Sequence, residues 1–414
     1  MNTAEFQKSL EKYADVIVKV GINLRKGQNL TISAGITAYP LVRAITKSAY
    51  ASGAKLVTVF YGDDEVFHTR MKMSSHKNLT EVPSWIVPAY TSIVKNGDAY
   101  IGITSDNPDL LADVDPEAIA IYRKTMGTKM RKLTQAVMRD AINWCVISYP
   151  AEDWAKKVFP KTSTKQAQEK LWEAIFKTCR VDQRDPVAAW EKHIKDLSLR
   201  SAYLNKKRYA ALHYKAPGTD LTVGLPSQHK WVAARSKSQT GIDFTANLPT
   251  EEVFTMPHKD KVDGFVAASR PLVIAGTTVE DFTLTFEKGR VVKVTAKKHE
   301  ETLRKLIETD EGAARLGEVA LVPNSSPISQ SGILFYNTLF DENASSHIAL
   351  GAAYPFTMKD GNKLSQGDFQ KRGGNHSIIH TDFMIGSKDM DIDGILANGK
   401  REPIMRKGEW AFKA

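Results

Sequence analysis

Cysteine is nearly missing from this chain: among 414 residues only Cys145 and Cys179 occur. Two thiols far apart in sequence cannot build a disulfide framework or a thiolate metal site. Each lies in an apolar stretch, where it reads as a small buried hydrophobe, and a reducing compartment fits that usage. Long apolar runs are missing too, so no membrane span is predicted. The first residues, Met1-Asn2-Thr3-Ala4-Glu5-Phe6-Gln7-Lys8, lack the apolar core of a secretory signal. No Gly-x-Gly-x-x-Gly follows a strand, and no Gly-Lys-Ser/Thr loop occurs, which argues against a phosphate cradle. Asp63-Asp64 after a strand reads as a helix N-cap rather than a ribose or metal contact.

Charge of one sign is not concentrated. The chain has 57 Lys and Arg against 47 Asp and Glu, a net +10, but the bases are dispersed. The densest run, Arg123, Lys124, Lys129, Arg131, Lys132 and Arg139, is interleaved with Met126, Met130, Leu133, Val137 and Met138. That pattern predicts a solvated helix face opposite a buried one, and no nucleic-acid partner is expected. The remaining composition is that of a globular protein large enough to bury a core without metal or disulfide. Any metal is therefore expected to be catalytic.

Length alone suggests about two or three domains. The first part alternates helices and strands. A helix carries Phe6, Leu10, Tyr13, Ile17 and Val18, and a second carries Leu41, Val42, Ile45 and Ala49, at spacings of three and four. Strands are predicted at Asn29 to Ser33, Lys55 to Tyr61 (read as buried), Ala99 to Thr104 and Asn143 to Ser148. A helical stretch follows from Lys165 to Lys207, with Asp185-Pro186 as a helix start. After Tyr209 short β-rich runs take over, including a hairpin over Thr283 to Val291 with Gly289 in its turn. The fold class read from this is α/β: a mostly parallel N-terminal sheet covered by helices over 1–208, and a C-terminal α+β domain carrying the metal site over 209–414.

Four C-terminal strings hold candidate metal ligands. In Asn247-Leu248-Pro249-Thr250-Glu251-Glu252-Val253-Phe254 two adjacent carboxylates would point to opposite sides of an extended chain, unless they are simply a solvated pair. In Ala314 to Pro323, Glu318 opens an apolar strand. Either it is buried, and then paired or metal-bound, or it stands outside the sheet in water. Leu339-Phe340-Asp341-Glu342-Asn343-Ala344-Ser345-Ser346-His347 is followed by Tyr354. A helix would put His347 and Tyr354 on one face, but Gly351 argues against that helix, and a lone histidine is often structural. In His376 to Gly386, His380 and Asp382 are two apart in a β-like run, so they share a face. Imidazole with carboxylate suits zinc, cobalt or manganese, although His-x-Asp is a short pattern. Converging, these groups would hold two divalent ions. Such a pair, roughly 3.5–4 Å apart, can generate a hydroxide and polarise a carbonyl.

The strings Asn247 to Thr255, Thr309-Asp310-Glu311-Gly312-Ala313-Ala314-Arg315-Leu316-Gly317-Glu318, Leu339 to His347, and His380-Thr381-Asp382-Phe383-Met384-Ile385-Gly386-Ser387 closely resemble, in order and spacing, the aminopeptidase T, aminopeptidase S and PepS family of metallopeptidases. The resemblance implies a cytoplasmic, homodimeric aminopeptidase with an enclosed chamber, acting on peptides with a free N-terminus. It implies two divalent ions (zinc, cobalt or magnesium) on Glu252, Glu318, His347, His380 and Asp382. Glu342 would be a further ligand or a group beside them. It also implies Tyr354 as an active-site tyrosine, and leaves Glu251 as general base. The choice between Glu251 and Glu252 as ligand stays open by one residue. Alternatives to this reading are a metal-dependent hydrolase of another bond and a non-catalytic nucleic-acid-binding α/β protein.

Overall fold

The structure, a computed structural model, describes every residue except 1, 2, 106, 108, 275, 276 and 414. It divides into two compact units, 1–193 with 235–249, and 194–234 with 250–414.

The first unit is built on a parallel sheet of β1 (Asn29–Gly35), β2 (Leu56–Gly62), β3 (Ala99–Thr104) and β4 (Trp144–Ser148), in the order β2-β1-β3-β4. Each strand falls within two residues of its predicted place. The alternation of strand and helix makes the sheet parallel, because parallel neighbours need crossovers. Helix Thr3–Val16 buries Leu10, Tyr13, Ala14 and Val16, and helix Tyr39–Ala51 buries Leu41, Val42, Ile45 and Ala49, the faces that their periodicity predicts. Asp63 accepts the N–H of Val66 at 3.1 Å and caps the helix Asp64–Met73. Asp185 accepts from Ala188 at 3.0 Å at the start of helix Pro186–Lys207. Both cysteines are buried, and neither forms a disulfide.

Two expectations for this unit need correction. β2 is not buried: among the described residues it is an edge strand paired only with β1, and Leu56 and Tyr61 are 53% and 47% exposed. An apolar run cannot distinguish an edge from a centre. The basic stretch folds as two helices, Pro116–Lys129 and Arg131–Val137. Its apolar residues Met126, Met130, Leu133, Val137 and Met138 are half-buried rather than buried.

The second unit holds an antiparallel sheet of eight strands. In spatial order these are Arg290–Thr295, Thr283–Glu287, Val262–Ala267, Thr219–Gly224, Ala211–Ala216, Asp391–Ile395, Arg401–Arg406 and Glu409–Trp410. The predicted hairpin is there, with Gly289 at φ +81 in its turn. A Cβ on Gly289 would stand 1.9 Å from the Lys259 carbonyl oxygen, so only glycine fits. A smaller antiparallel sheet consists of β5 (Val253–Thr255), β6 (Leu316–Leu321), β7 (His347–Gly351) and β8 (His380–Met384), in the order β8-β7-β6-β5.

The chain passes between units at 193/194, 234/235 and 249/250, not once near 208. Residues 235–249 return to the first unit, where the Val146 N–H donates to the Ala246 carbonyl at 2.7 Å. A reading that assumes contiguous domains has no signal for such a return.

Asn143 is fully buried in the first unit. It donates to the Ile22 carbonyl at 2.6 Å, and its Oδ1 accepts from Gln28 Nε2 at 2.7 Å. Asn143→Ala strands those partners at a cost of about 1–3 kcal/mol. Thermal unfolding followed by circular dichroism should show a Tm lower by roughly 2–10 °C. An unchanged Tm would contradict this account of the first unit's packing.

Candidate metal centre

The register of the small sheet brings the candidate ligands together. On β8, His380 and Asp382 share a face, as the period of two predicts. Asp382 lies opposite Ala349 and His380 opposite Gly351 of β7. Ala349 in turn lies opposite Glu318 of β6, and His347 opposite Ala320. Ala320 lies opposite Phe254 of β5, two residues after Glu252. One face therefore carries His380, Asp382, His347 and Glu318, with Ala349, Gly351 and Ala320 beside them, and Glu252, just before β5, meets it at His347. Gly351 has φ +103, and a Cβ there would stand 2.1 Å from the Ile379 carbonyl oxygen.

Three open alternatives close. Glu318 is inside the sheet, 5% exposed, on a strand with every residue buried. His347 begins a strand, not a helix, and Tyr354 follows beyond that strand's end. Glu251 and Glu252 are both buried, so they are not a solvated pair.

Backbone carbonyls orient both imidazoles. A carbonyl only accepts, so His347 Nδ1–H donates to Ser345 O at 3.2 Å and His380 Nδ1–H to Ala352 O at 2.7 Å. That leaves each Nε2 facing carboxylates. His347 Nε2 is 3.0 Å from Glu252 Oε2 and 3.7 Å from Glu318 Oε1. His380 Nε2 is 3.4 Å from Asp382 Oδ2 and 3.6 Å from Glu318 Oε2. Three of these four distances lie beyond an ordinary N–H···O bond. They match ligands around one ion at about 2.0–2.2 Å from each, which stand ~3.4 Å apart in a tetrahedron. An Nδ1–H tied to a carbonyl is also the usual support of a metal-bound histidine.

The electrostatics agree. Burial would lower both imidazoles, but Glu252 and Glu318 raise His347 well above its ordinary value, and Asp382 and Glu318 raise His380 to about 10. Burial raises Glu318 to about 7, with Asp382 and Glu252 adding to the effect and the two histidines opposing it. Burial, Asp382 and Glu252 push Glu342 well up. Burial also raises Asp382, but His380 more than reverses this and holds it below the usual carboxylate range. Three buried carboxylates and the half-buried Asp382 thus face two imidazoles, and the Asp382 Oδ1 atom is buried with no hydrogen-bond partner. A charge surplus with an orphaned acceptor fits a divalent cation.

The ligand atoms fall into two groups, Glu252 with Glu318 and His347, and Glu318 with His380 and Asp382, each within 4.8 Å. Glu318 belongs to both. A third group in the first unit, His76, Asp115 and Glu117, is solvent-exposed. There Asp115 already caps a helix through the Glu117 N–H and pairs with His76 at 3.0 Å.

Tyr354 stands beside this face, its ring 4.8 Å from the His380 ring and stacked on Phe356 at 5.2 Å. Burial, then Glu318, Asp382, Glu342 and Glu252, raise its phenol well above the ordinary value, so it keeps its proton. Glu251 is held by its backbone: its N–H donates to Asn343 Oδ1 at 2.7 Å. Asn343 was not singled out from the sequence, nor were Phe254 and Phe356 beside Tyr354. Phe254 could have been, because it is two residues from Glu252 on an extended stretch.

Alanine at His380 or at Asp382 should lower the metal bound per chain and leave the far-ultraviolet circular dichroism spectrum unchanged. Elemental analysis of the purified variants reads this. Wild-type metal content in both would show that the face of β8 holds no ion.

Comparison with known proteins places this geometry. Residues 6–410 match the thermophilic metalloprotease (M29) family. The chain is 49% identical to aminopeptidase AmpS of Bacillus subtilis over 407 residues, 98% of this chain and 99% of that protein. It is 47% identical to aminopeptidase 2 of Geobacillus stearothermophilus over 408 residues, 99% of each chain. It is 44% identical to aminopeptidase T of Thermus thermophilus over 405 residues, 98% of this chain and 99% of that one. The solved structure of wild-type AmpT from Thermus thermophilus matches with a TM-score of 0.92 at 42% identity, covering 98% of this chain and 100% of that chain. With the motifs, the fold and nearly the full length in agreement, the chain belongs to the thermophilic metalloprotease (M29) family.

Proposed function

We propose that this protein is a metal-dependent aminopeptidase, which removes residues one at a time from the N-termini of peptides. Glu252, Glu318, His347, His380 and Asp382 hold two divalent cations, with Glu342 a further ligand or a group beside them. The observation that carries this reading is the single buried sheet face on which two ligand groups share Glu318. Relatives that bear the name aminopeptidase across the full chain support the choice of bond. Zinc, cobalt and magnesium are the expected ions, and a cytoplasmic homodimer is the expected state, both from the family resemblance.

Cations bound there would supply Lewis acidity, easing water ionisation and polarising the scissile carbonyl. The chain supplies the rest. The Nδ1–H bonds to Ser345 and Ala352 fix both imidazoles before substrate arrives. Glu251 takes a proton from the attacking water and returns it to the leaving amine. Tyr354, kept protonated, donates a hydrogen bond to the tetrahedral oxyanion, a contribution on the order of 3 kcal/mol where such donors have been measured. The surplus of carboxylates favours an ammonium group, so the free N-terminus becomes the handle that places the first carbonyl.

Chelation should abolish activity, and a divalent ion should restore it; full turnover by metal-free protein would rule out the metal reading. A short peptide should shorten sequentially from its N-terminus while its N-acetylated twin stays intact. Internal fragments appearing first, or equal cleavage of the twin, would make the enzyme an endopeptidase. Glu252→Gln should lower metal occupancy, and Glu251→Gln should spare it while cutting turnover roughly 100-fold or more. The reverse pattern would exchange the two roles.

A further inference from the structure

Four of the candidate ligands owe their places to strand register: Glu318, His347, His380 and Asp382 all lie on paired strands. Glu252 and Glu342 do not. Glu252 precedes β5, and Glu342 opens a short 3-10 turn, Glu342–Ala344. Something other than a ladder must set these two carboxylates against the sheet.

We infer that Asn343 is the positioning residue for both acidic segments outside the sheet, an inference that rests on the metal-centre reading above. Asn343 is fully buried. Its Oδ1 accepts the Glu251 N–H at 2.7 Å, across 92 residues of sequence. Its Nδ2 donates to the Leu339 carbonyl at 3.0 Å and to Glu342 Oε1 at 3.4 Å. Its own carbonyl accepts from Ser326 Oγ at 3.0 Å. These partners allow one amide orientation. The flipped amide would set its NH₂ against the Glu251 N–H and its oxygen against the Leu339 carbonyl and the Glu342 carboxylate, all repulsive. Fixing the Glu251 peptide fixes the point from which the Glu252 side chain leaves the backbone. The bond to Leu339 fixes the helical turn that leads into Glu342, whose Oε1 lies 3.4 Å from the same Nδ2. One buried amide therefore ties the two segments into a unit. Asn343 acts through its partners Glu251 and Glu342, and through Glu252 next to Glu251. Groups of this kind alter metal affinity by roughly 10–100-fold.

The test titrates zinc against a competing chelator in metal-stripped wild type, Asn343→Ala, Asn343→Asp and Asn143→Ala. Asn143 is the control: an equally buried asparagine whose partners Ile22 and Gln28 lie in the first unit and whose loss is expected to lower Tm. Zinc affinity should fall roughly 10–100-fold in Asn343→Ala. It should fall less in Asn343→Asp, which keeps the acceptor for the Glu251 N–H. It should stay at the wild-type value in Asn143→Ala. If Asn343→Ala does not fold, the comparison of Asn343→Asp with wild type and Asn143→Ala carries the test. Wild-type affinity in the folded Asn343 variants, or an equal loss in Asn143→Ala, would overturn the positioning role. Wild type that binds no zinc, cobalt or magnesium would instead overturn the metal-centre reading itself.

Discussion

Gathering four carboxylates and two imidazoles, most of them buried, against one four-stranded sheet is the constraint on which the rest of the second unit turns. An ionised carboxylate taken out of water is costly unless it is paired or bound to a cation. Here two imidazoles meet four acids, and burial and mutual repulsion drive Glu318 and Glu342 upward. The imbalance cannot be relieved by solvent, because Glu252, Glu318 and His347 are each less than a tenth exposed. A fold that keeps such a cluster does so because something positively charged belongs there.

The surrounding architecture serves that cluster. Antiparallel register sets the spacing of Glu318, His347, His380 and Asp382, with Ala349, Gly351 and Ala320 beside them. Backbone carbonyls at Ser345 and Ala352 turn each Nε2 inward. Tyr354, braced by Phe356, keeps its proton because burial, and then the acids around it, disfavour a phenolate. Each device orients a group in advance, and such preorganisation is where an enzyme of this kind finds most of its rate.

Much of this was legible in the chain because it is local. A period of two put His380 and Asp382 on one face, and the alternation of strand and helix specified the parallel sheet of the first unit. The family motifs supplied the other ligand candidates. What was illegible depends on distant pairing. The apolar strand β2 read as buried because its sequence does not say that it has one neighbour. The return of residues 235–249 to the first unit leaves no compositional mark. Burial of Glu318 could not be decided from its strand alone. Asn343 sits inside a motif that was noticed, yet its partner Glu251 is remote in sequence, so only the folded chain shows what it holds.

The central claim is that one buried sheet face holds two cations that share Glu318. Anomalous diffraction from zinc-loaded crystals, collected on both sides of the zinc edge, tests it most directly. The account predicts two peaks per chain, one among Glu252, Glu318 and His347 and the other among Glu318, His380 and Asp382. Zinc bound only at exposed sites such as His76 and Asp115, with no peak on this face, would contradict it.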